Sequence, residues 1–435
     1  MPHLVDDAAY VQAMLDVEAA LAQAGARAGL FPADHAEAIT RACVAERYDI
    51  GDLGRDAAAS GNPVVPLVRA LTAAVGGATG GSVHRGATSQ DVLDTATMLV
   101  ARRALGALVA DVDAAGDAAA ALADRHRHTV MAGRTLLQQA LPITFGGKAA
   151  GWLSGLDDAA DLLQSVAGTR LVVQLGGGAG TLASLGPQGP EVVRHFAGEL
   201  ALAVPPLPWH TNRSRLGELA GALGVAAGVL AKPARDVVLL VQTEVGEVRE
   251  GTAGRGGSST LPQKRNPVAA ISVLAAAAQV PGLVATLLAA TAGHEHERAA
   301  GPWQAEWHPL RELFVHTGSA AAWLADCLSG LEVDPDRMRA NLELTGGAVL
   351  AERVTTELTT ELGRHAAHEA VERALQASAG TGRSLAEALA ADPELAAHLA
   401  DVDLDKLLDP AGYLGATEAF IDAARQRHSA RTGTA

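Results

Sequence analysis

Between Ser214 and Glu250 the chain repeats one apolar spacing: Leu216, Leu223, Leu230 and Val237 recur every seven residues, and Leu219 and Val241 fill the same face. Such a period keeps one stripe of a helix facing a partner along its whole length. A run this long exceeds an ordinary globular helix, so the spacing predicts a bundle of long helices rather than a compact mixed fold. Pro233 removes a backbone donor inside the run and predicts a kink. Hydrophobic residues make up 49% of the 435-residue chain while aromatic residues make up only 3%. The core must therefore be built from Ala, Leu and Val, which suits close helix packing and argues against an all-β sandwich. The expected fold class is all-α.

Other segments extend this pattern. Val11, Met14, Leu15 and Leu21 share one stripe of an N-terminal helix that Gly29 and Pro32 should stop, and the stretch from Gly51 to Gly81 reads as loop-rich. A second helix is expected from about Val92 to His128. Asn266-Pro267 reads as a cap followed by proline in the first turn, opening the uncharged stretch from Ile271 to Gly293. That stretch could span a bilayer by length. It is rich in Ala and interrupted by Gln279 and Pro281, so a helix buried among other helices is the stronger expectation. Beyond Glu343 charges become denser and the helices should shorten. Three helical domains are expected, at 1–100, 101–342 and 343–435.

Charge and cysteine content restrict the partners. Lys and Arg total 34 against 49 Asp and Glu, a net charge of −15, which repels phosphate backbones and disfavours nucleic-acid binding. Any anionic ligand then needs a local cluster of cations. Cys43 and Cys327 are too few for a disulfide framework or a cysteine metal site. The first thirty residues contain Asp6, Asp7, Asp16 and Glu18 and show no basic start before an apolar block. No secretory or membrane segment is expected, and a cytoplasmic setting is the default.

Two motifs are weak. Gly178-x-Gly180-x-x-Ala183, with Glu199 downstream, formally fits a dinucleotide fingerprint, yet it lacks alternating strand and helix units and reads as a Gly-rich turn. In His294-Glu295-His296-Glu297 the histidines are two apart and point to different faces of a helix, so no metal site is expected. The informative stretch is Gly251 to Pro267. Glycines at 251, 254, 256 and 257 precede Ser258, Ser259, Lys264 and Asn266. A mobile loop carrying a hydroxyl, backed by a cation and a helix start, suits a reaction that builds negative charge beside a carboxylate.

GSSTLPQKRNP resembles the signature loop of the aspartase/fumarase superfamily, with Leu261 where Met is common. The segments starting at His84 (HRGATSQD) and Gly133 (GRTLLQQALP) resemble its first and second shared regions, and QTEVGEV at 242–248 and DPAGYLG at 409–415 extend the likeness. Within the superfamily these segments and WQAEW at 303–307 are most similar to the cycloisomerases that open and close a lactone on a carboxylated muconate. The resemblance implies long central helices forming a bundle shared across a homotetramer, active sites assembled from three subunits, a small tricarboxylate substrate, and no metal or organic cofactor. It implies Ser258 as the base that takes a proton beside a carboxylate, Ser259 as its less favoured twin, and Lys264 and Asn266 holding the resulting enolate-like anion. Thr88 and Ser89 would bind another carboxylate beside His84, with Arg85, Gln138, Gln139 and Arg298 completing the contacts. Arg85, Arg134, Arg255, Lys264, Arg265 and Arg298 should converge on the substrate.

One departure bears on the substrate. Many members carry a histidine acid in the second region, where this chain has Leu136, Gln138 and Gln139. An amine or hydroxide leaving group would suffer. A carboxylate, with a pKa of about 4, departs unprotonated. Adenylosuccinate lyase is disfavoured because Trp303 and Trp307 stand where phosphate ligands are expected after Glu297-Arg298. A lyase releasing nitrite from nitrosuccinate stays open for the same leaving-group reason. A non-catalytic homologue is less expected, since Ser258, Lys264 and Asn266 are all present.

Overall fold

The computed structural model describes residues 1–252 and 254–433 and is all-α in class. Among the described residues the strands form two antiparallel pairs, β1 (Val130–Thr135) with β2 (Gln138–Thr144) and β3 (Val248–Glu250) with β4 (Leu331–Val333). The chain divides into two compact units: residues 1–112, 158–231 and 273–322, and residues 113–157, 232–272 and 323–435.

In the first unit, helix α1 (Asp7–Arg27) starts where the Asp6 carboxylate accepts the Ala9 N–H, satisfying one of the donors a helix start leaves unpaired. Its buried face holds Val11, Met14, Leu15 and Leu21, as the spacing predicts, and also Glu18. That face packs on α2 (Ala33–Ala42), and α1 also packs on a later helix, Gly189–Leu200. The stretch from Gly51 to Gly81 is not loop-rich. It contains α3 (Ile50–Ser60) and α4 (Val64–Val75), with Val64, Leu67 and Leu71 buried. Asp49 caps α3, and Gly61 and Gly76 end the two helices at φ 69° and 68°. The glycines are terminators of helices, not signs of loop.

The long helices are α5 (Ser89–Arg125), α6 (Phe145–Thr169), α8 (Ser214–Leu240), α9 (Val268–Ala292) and α10 (Pro302–Ser329), with α7 the Gly189–Leu200 helix. Leu216, Leu219, Leu223, Leu230 and Val237 are all buried. Helix α8 contains Pro233 but ends at Leu240, ten residues before the spacing suggested. Gly246 takes φ 61° and Glu247 N–H returns to the Leu240 carbonyl, so a turn replaces the last helical stretch. The uncharged helix α9 also differs from expectation. Its most apolar window is only 28% buried, and Ile271 and Leu288 are 47% and 49% exposed. Nothing within the described residues covers that face.

In the second unit, α11 (Pro335–Glu343) packs on β1. Beyond it the helices are short, gathered around Val354, Leu358, Val371, Leu385, Leu389 and Leu395. The last helix, Thr417–Thr432, is pinned by His428, which bonds Asp157 at 2.7 Å and Asp117 at 3.0 Å, and by Arg431 on Asp157 and Asp113.

Candidate active site

In the first unit the segment from His84 to Asp91 is held by one buried carboxylate. Asp91 accepts N–H bonds from Thr88 (2.9 Å), Gly176 (3.0 Å) and Gly177 (2.9 Å) and bonds His210 Nε2 at 2.7 Å. A carboxylate buried to 1% exposure would be left unsatisfied without such donors. The Gly-rich run from 176 is therefore a turn wrapped on Asp91, not a phosphate cradle. Gly86, at φ 82°, admits no side chain, since a Cβ would lie 2.4 Å from Leu185. His84 also has a left-handed backbone (φ 57°), and its Nδ1 lies 2.6 Å from Oε1 of Glu18. Burial pulls the imidazole down, but the hydrogen bond and charge of Glu18, with Asp91 behind, more than reverse this and hold it above its ordinary value. Arg298 donates to the carbonyls of Gly178 (2.9 Å) and Gly177 (3.3 Å) and to Gln90 Oε1 (3.4 Å). His84, Thr88, Ser89 and Arg298 are thus gathered around the start of α5.

Beneath them Arg213 is 2% exposed and forked between two acids. It reaches Asp94 at 2.7 and 3.0 Å and Glu306 at 2.7 and 3.1 Å. Trp303 Nε1 donates to Asp94 and His294 bonds Glu306, which explains the first histidine of the His-Glu-His-Glu run.

In the second unit, residues 256–266 form a closed loop. Asn266 N–H and its side-chain amide both donate to the Gly256 carbonyl, at 2.8 and 3.1 Å, and Gly257 bridges Arg265. Gly256 must be glycine: its φ is 78° and a Cβ would lie 2.3 Å from the Asn266 carbonyl. Arg255 fixes the neck by pairing with Asp326 and lying 5.2 Å from the centre of the Trp323 ring. Within the loop the half-buried Ser258 accepts N–H bonds on Oγ from Leu261 (3.0 Å) and Thr260 (3.3 Å), while Ser259 and Lys264 are exposed. Donors aimed at a hydroxyl oxygen favour its deprotonated form.

The helix start behind this loop is not free. Glu250 accepts the N–H groups of Ala269 (3.1 Å) and Ala270 (2.9 Å), so an internal carboxylate already occupies the positive end of α9. The expectation that Asn266 caps this helix is corrected accordingly: the Asn266 side chain closes the loop instead.

The β1–β2 hairpin carries the second shared region. Its tip residues Leu136 and Leu137 have φ 51° and 67° and are 97% and 72% exposed. Arg134 grips Glu247 through two bonds of 2.9 and 2.6 Å, and Asn341 Nδ2 donates to the same carboxylate at 2.7 Å. Gln139 donates to the Asn341 carbonyl at 2.9 Å, while Gln138 is exposed. Segment 245–250 is therefore a common base, binding the hairpin through Glu247 and α9 through Glu250. Four of the six expected cations are already engaged: Arg134 by Glu247, Arg255 by Asp326, and Arg298 and Arg265 by backbone carbonyls. Arg85, Lys264 and Arg265 have no acidic partner among the described residues.

Glu18, Asp91, Glu247, Glu250 and Asp326 were not apparent as site-building acids. Glu18 alone left a trace, a charge set within the apolar stripe of α1.

Known proteins resemble this chain over most of its length. Residues 4–282 match the family described as Lyase, and residues 347–424 match the adenylosuccinate lyase C-terminus. The chain is 48% identical to 3-carboxy-cis,cis-muconate cycloisomerase of Bradyrhizobium diazoefficiens, covering 96% of this chain and 93% of that protein. It is 46% identical to nitrosuccinate lyase of Streptomyces davaonensis, covering 97% and 91%. The crystal structure of the 3-carboxy-cis,cis-muconate lactonizing enzyme from Pseudomonas putida superposes with a TM-score of 0.93 at 43% identity, covering 99% of this chain and 97% of that one. The chain belongs to the aspartase/fumarase superfamily of lyases.

Proposed function

We propose that the protein is a cycloisomerase that interconverts 3-carboxy-cis,cis-muconate and 4-carboxymuconolactone, in aromatic-acid breakdown in the cytoplasm. In the lactone-opening direction Ser258 takes a proton from the carbon next to a carboxylate. Lys264 and Asn266 hold the enolate-like anion, and the ring oxygen leaves as a carboxylate. Thr88, Ser89, Arg85 and Arg298 bind the remaining carboxylates, with His84 beside them and Gln138 and Gln139 contributed by the hairpin. No metal or organic cofactor is required. The observation that carries this chemistry is the Ser258 hydroxyl held by two backbone N–H donors on a loop that also bears Lys264. Serine is a weak base until its alkoxide is stabilised, and these donors supply that stabilisation.

The choice of substrate rests on the 48% identical cycloisomerase and on the lactonizing enzyme of the same fold. A second reading, nitrosuccinate lyase, is favoured by the 46% identical relative that matches 97% of the chain. Both reactions release a stable anion that needs no strong acid. A spectrophotometric comparison of the muconate, nitrosuccinate and adenylosuccinate separates them. Turnover of the muconate is expected, and turnover of nitrosuccinate alone would hand the assignment to the second reading.

The same reading makes the protein a homotetramer of three-domain protomers (1–100, 101–342 and 343–435), with a shared helical bundle and active sites completed by neighbouring subunits. The exposed apolar face of α9 supports it: a helix of mean hydropathy 2.0 gains by packing against copies of itself. Light scattering is expected to give the mass of four protomers, and a stable monomer at micromolar concentration would remove this assembly.

A further inference from the structure

Glu18 is out of place by ordinary chemistry. It lies on the buried face of α1 among Val11, Met14, Leu15 and Leu21, is 1% exposed, and its Oε2 is buried with no hydrogen-bond partner. A buried carboxylate is expensive unless a partner holds it. Its bonded partner is His84, through the 2.6 Å contact of Oε1 with Nδ1. The histidine is constrained from the other side as well. It takes a left-handed backbone at φ 57°, two residues before Gly86, whose own φ of 82° and contact with Leu185 allow no side chain. Strain at a non-glycine residue persists only where the surroundings over-determine it, and such residues gather at working sites. The ring retains 20% exposure, and its Nε2 has no hydrogen-bond partner among the described residues.

We propose that Glu18 is a positioning residue: by accepting the Nδ1 proton of His84 it fixes the ring's tautomer and orientation, so that Nε2 is presented to the substrate held at the start of α5. A carboxylate behind an imidazole generally acts this way, orienting the ring and favouring its charged form. The proposal rests on the assignment of His84 to the active site. The charged and titratable groups facing the pair are few. Asp91 on α5 also favours the charged ring. Cys43, between α2 and α3, is held as a neutral thiol by burial and by the Glu18 charge, its value raised to about 12.

Glu18→Gln keeps the shape and removes the charge. The variant is expected to lower kcat about tenfold with KM little changed. It should also move the limb of the pH–rate profile that belongs to His84 by about one pH unit to lower pH. The direction is the same whether His84 must be charged or neutral, because losing Glu18 lowers the pH at which the ring titrates. His84 can be followed without any substrate, through the pH dependence of its carbethoxylation by diethyl pyrocarbonate, read by mass spectrometry of the His84 peptide. The midpoint should fall in the variant. In a double-mutant cycle, Glu18→Gln added to His84→Gln should cost no further activity. Should Glu18→Gln fail to fold, Glu18→Asp keeps the charge but draws the hydrogen bond away from Nδ1, so kcat should fall and both the limb and the carbethoxylation midpoint should move to lower pH.

An unmoved carbethoxylation midpoint overturns the proposal, and so do an unmoved limb or additive losses in the cycle. Absence of turnover with every substrate in the wild type would strike the functional reading instead, and the carbethoxylation comparison would still decide whether Glu18 governs His84.

Discussion

Replacing Ser258 by alanine is expected to lower kcat by about 10² to 10⁴, the range for removing a positioned proton-transfer group, while fold and assembly stay intact. The hydroxyl is half-buried at the surface of a loop, so its loss removes little packing. Ser259→Ala should leave kcat within a small factor of wild type, because the N–H groups of Thr260 and Leu261 point at Oγ of Ser258. The comparison distinguishes adjacent residues that residue type alone leaves equivalent. Steady-state kinetics on the muconate decide it: near-normal turnover of Ser258→Ala, or equal losses in both variants, would reject Ser258 as the base.

The largest stability loss is expected from Arg213→Met. Its guanidinium is the partner of both Asp94 and Glu306, all three nearly excluded from water. Removing the cation strands two carboxylates in a low-dielectric interior, a change that costs about 3–5 kcal/mol for a broken buried pair. Replacing the acids along with it, as Asp94→Asn and Glu306→Gln, should recover much of the loss, because the penalty is the uncompensated charge rather than the missing contact. Denaturant or thermal unfolding of the single and triple variants tests this. A single variant as stable as wild type would show that the cluster contributes no net stability.

The parts of the protein that were legible in its sequence are those encoded by neighbours along the chain. The leucine spacing of α8 marks a long helix directly, and the serines, lysine and asparagine of the 256–266 loop lie within a few residues of one another. The apolar period runs past the end of α8 because Val241 continues it, whereas the chain turns back through a glycine backbone at 246 that periodicity does not report. The stretch from Gly51 to Gly81 hides its two helices because a glycine that ends a helix and one that loosens a loop look alike until their partners are known. Ion pairs that organise the site were hidden by distance: His84 meets Glu18 across 66 positions and Arg134 meets Glu247 across 113. Glu250 was hidden differently. It precedes its helix across the whole glycine loop, so no capping pattern in consecutive residues announces it.

The turn at Leu136 and Leu137 has a consequence for how the protein behaves when diluted. Two side-chain-bearing residues in left-handed geometry cost about 1–2 kcal/mol each, where Asn-Gly would sit without penalty. Water is also a poor environment for the bulk they expose. A lone protomer therefore meets solvent with a tense, greasy fingertip, and under the proposed assembly its relief comes from burial in a neighbour. Enzyme stored at very low concentration should lose activity through subunit separation well before any helix melts, and mixing it back to higher concentration should restore it.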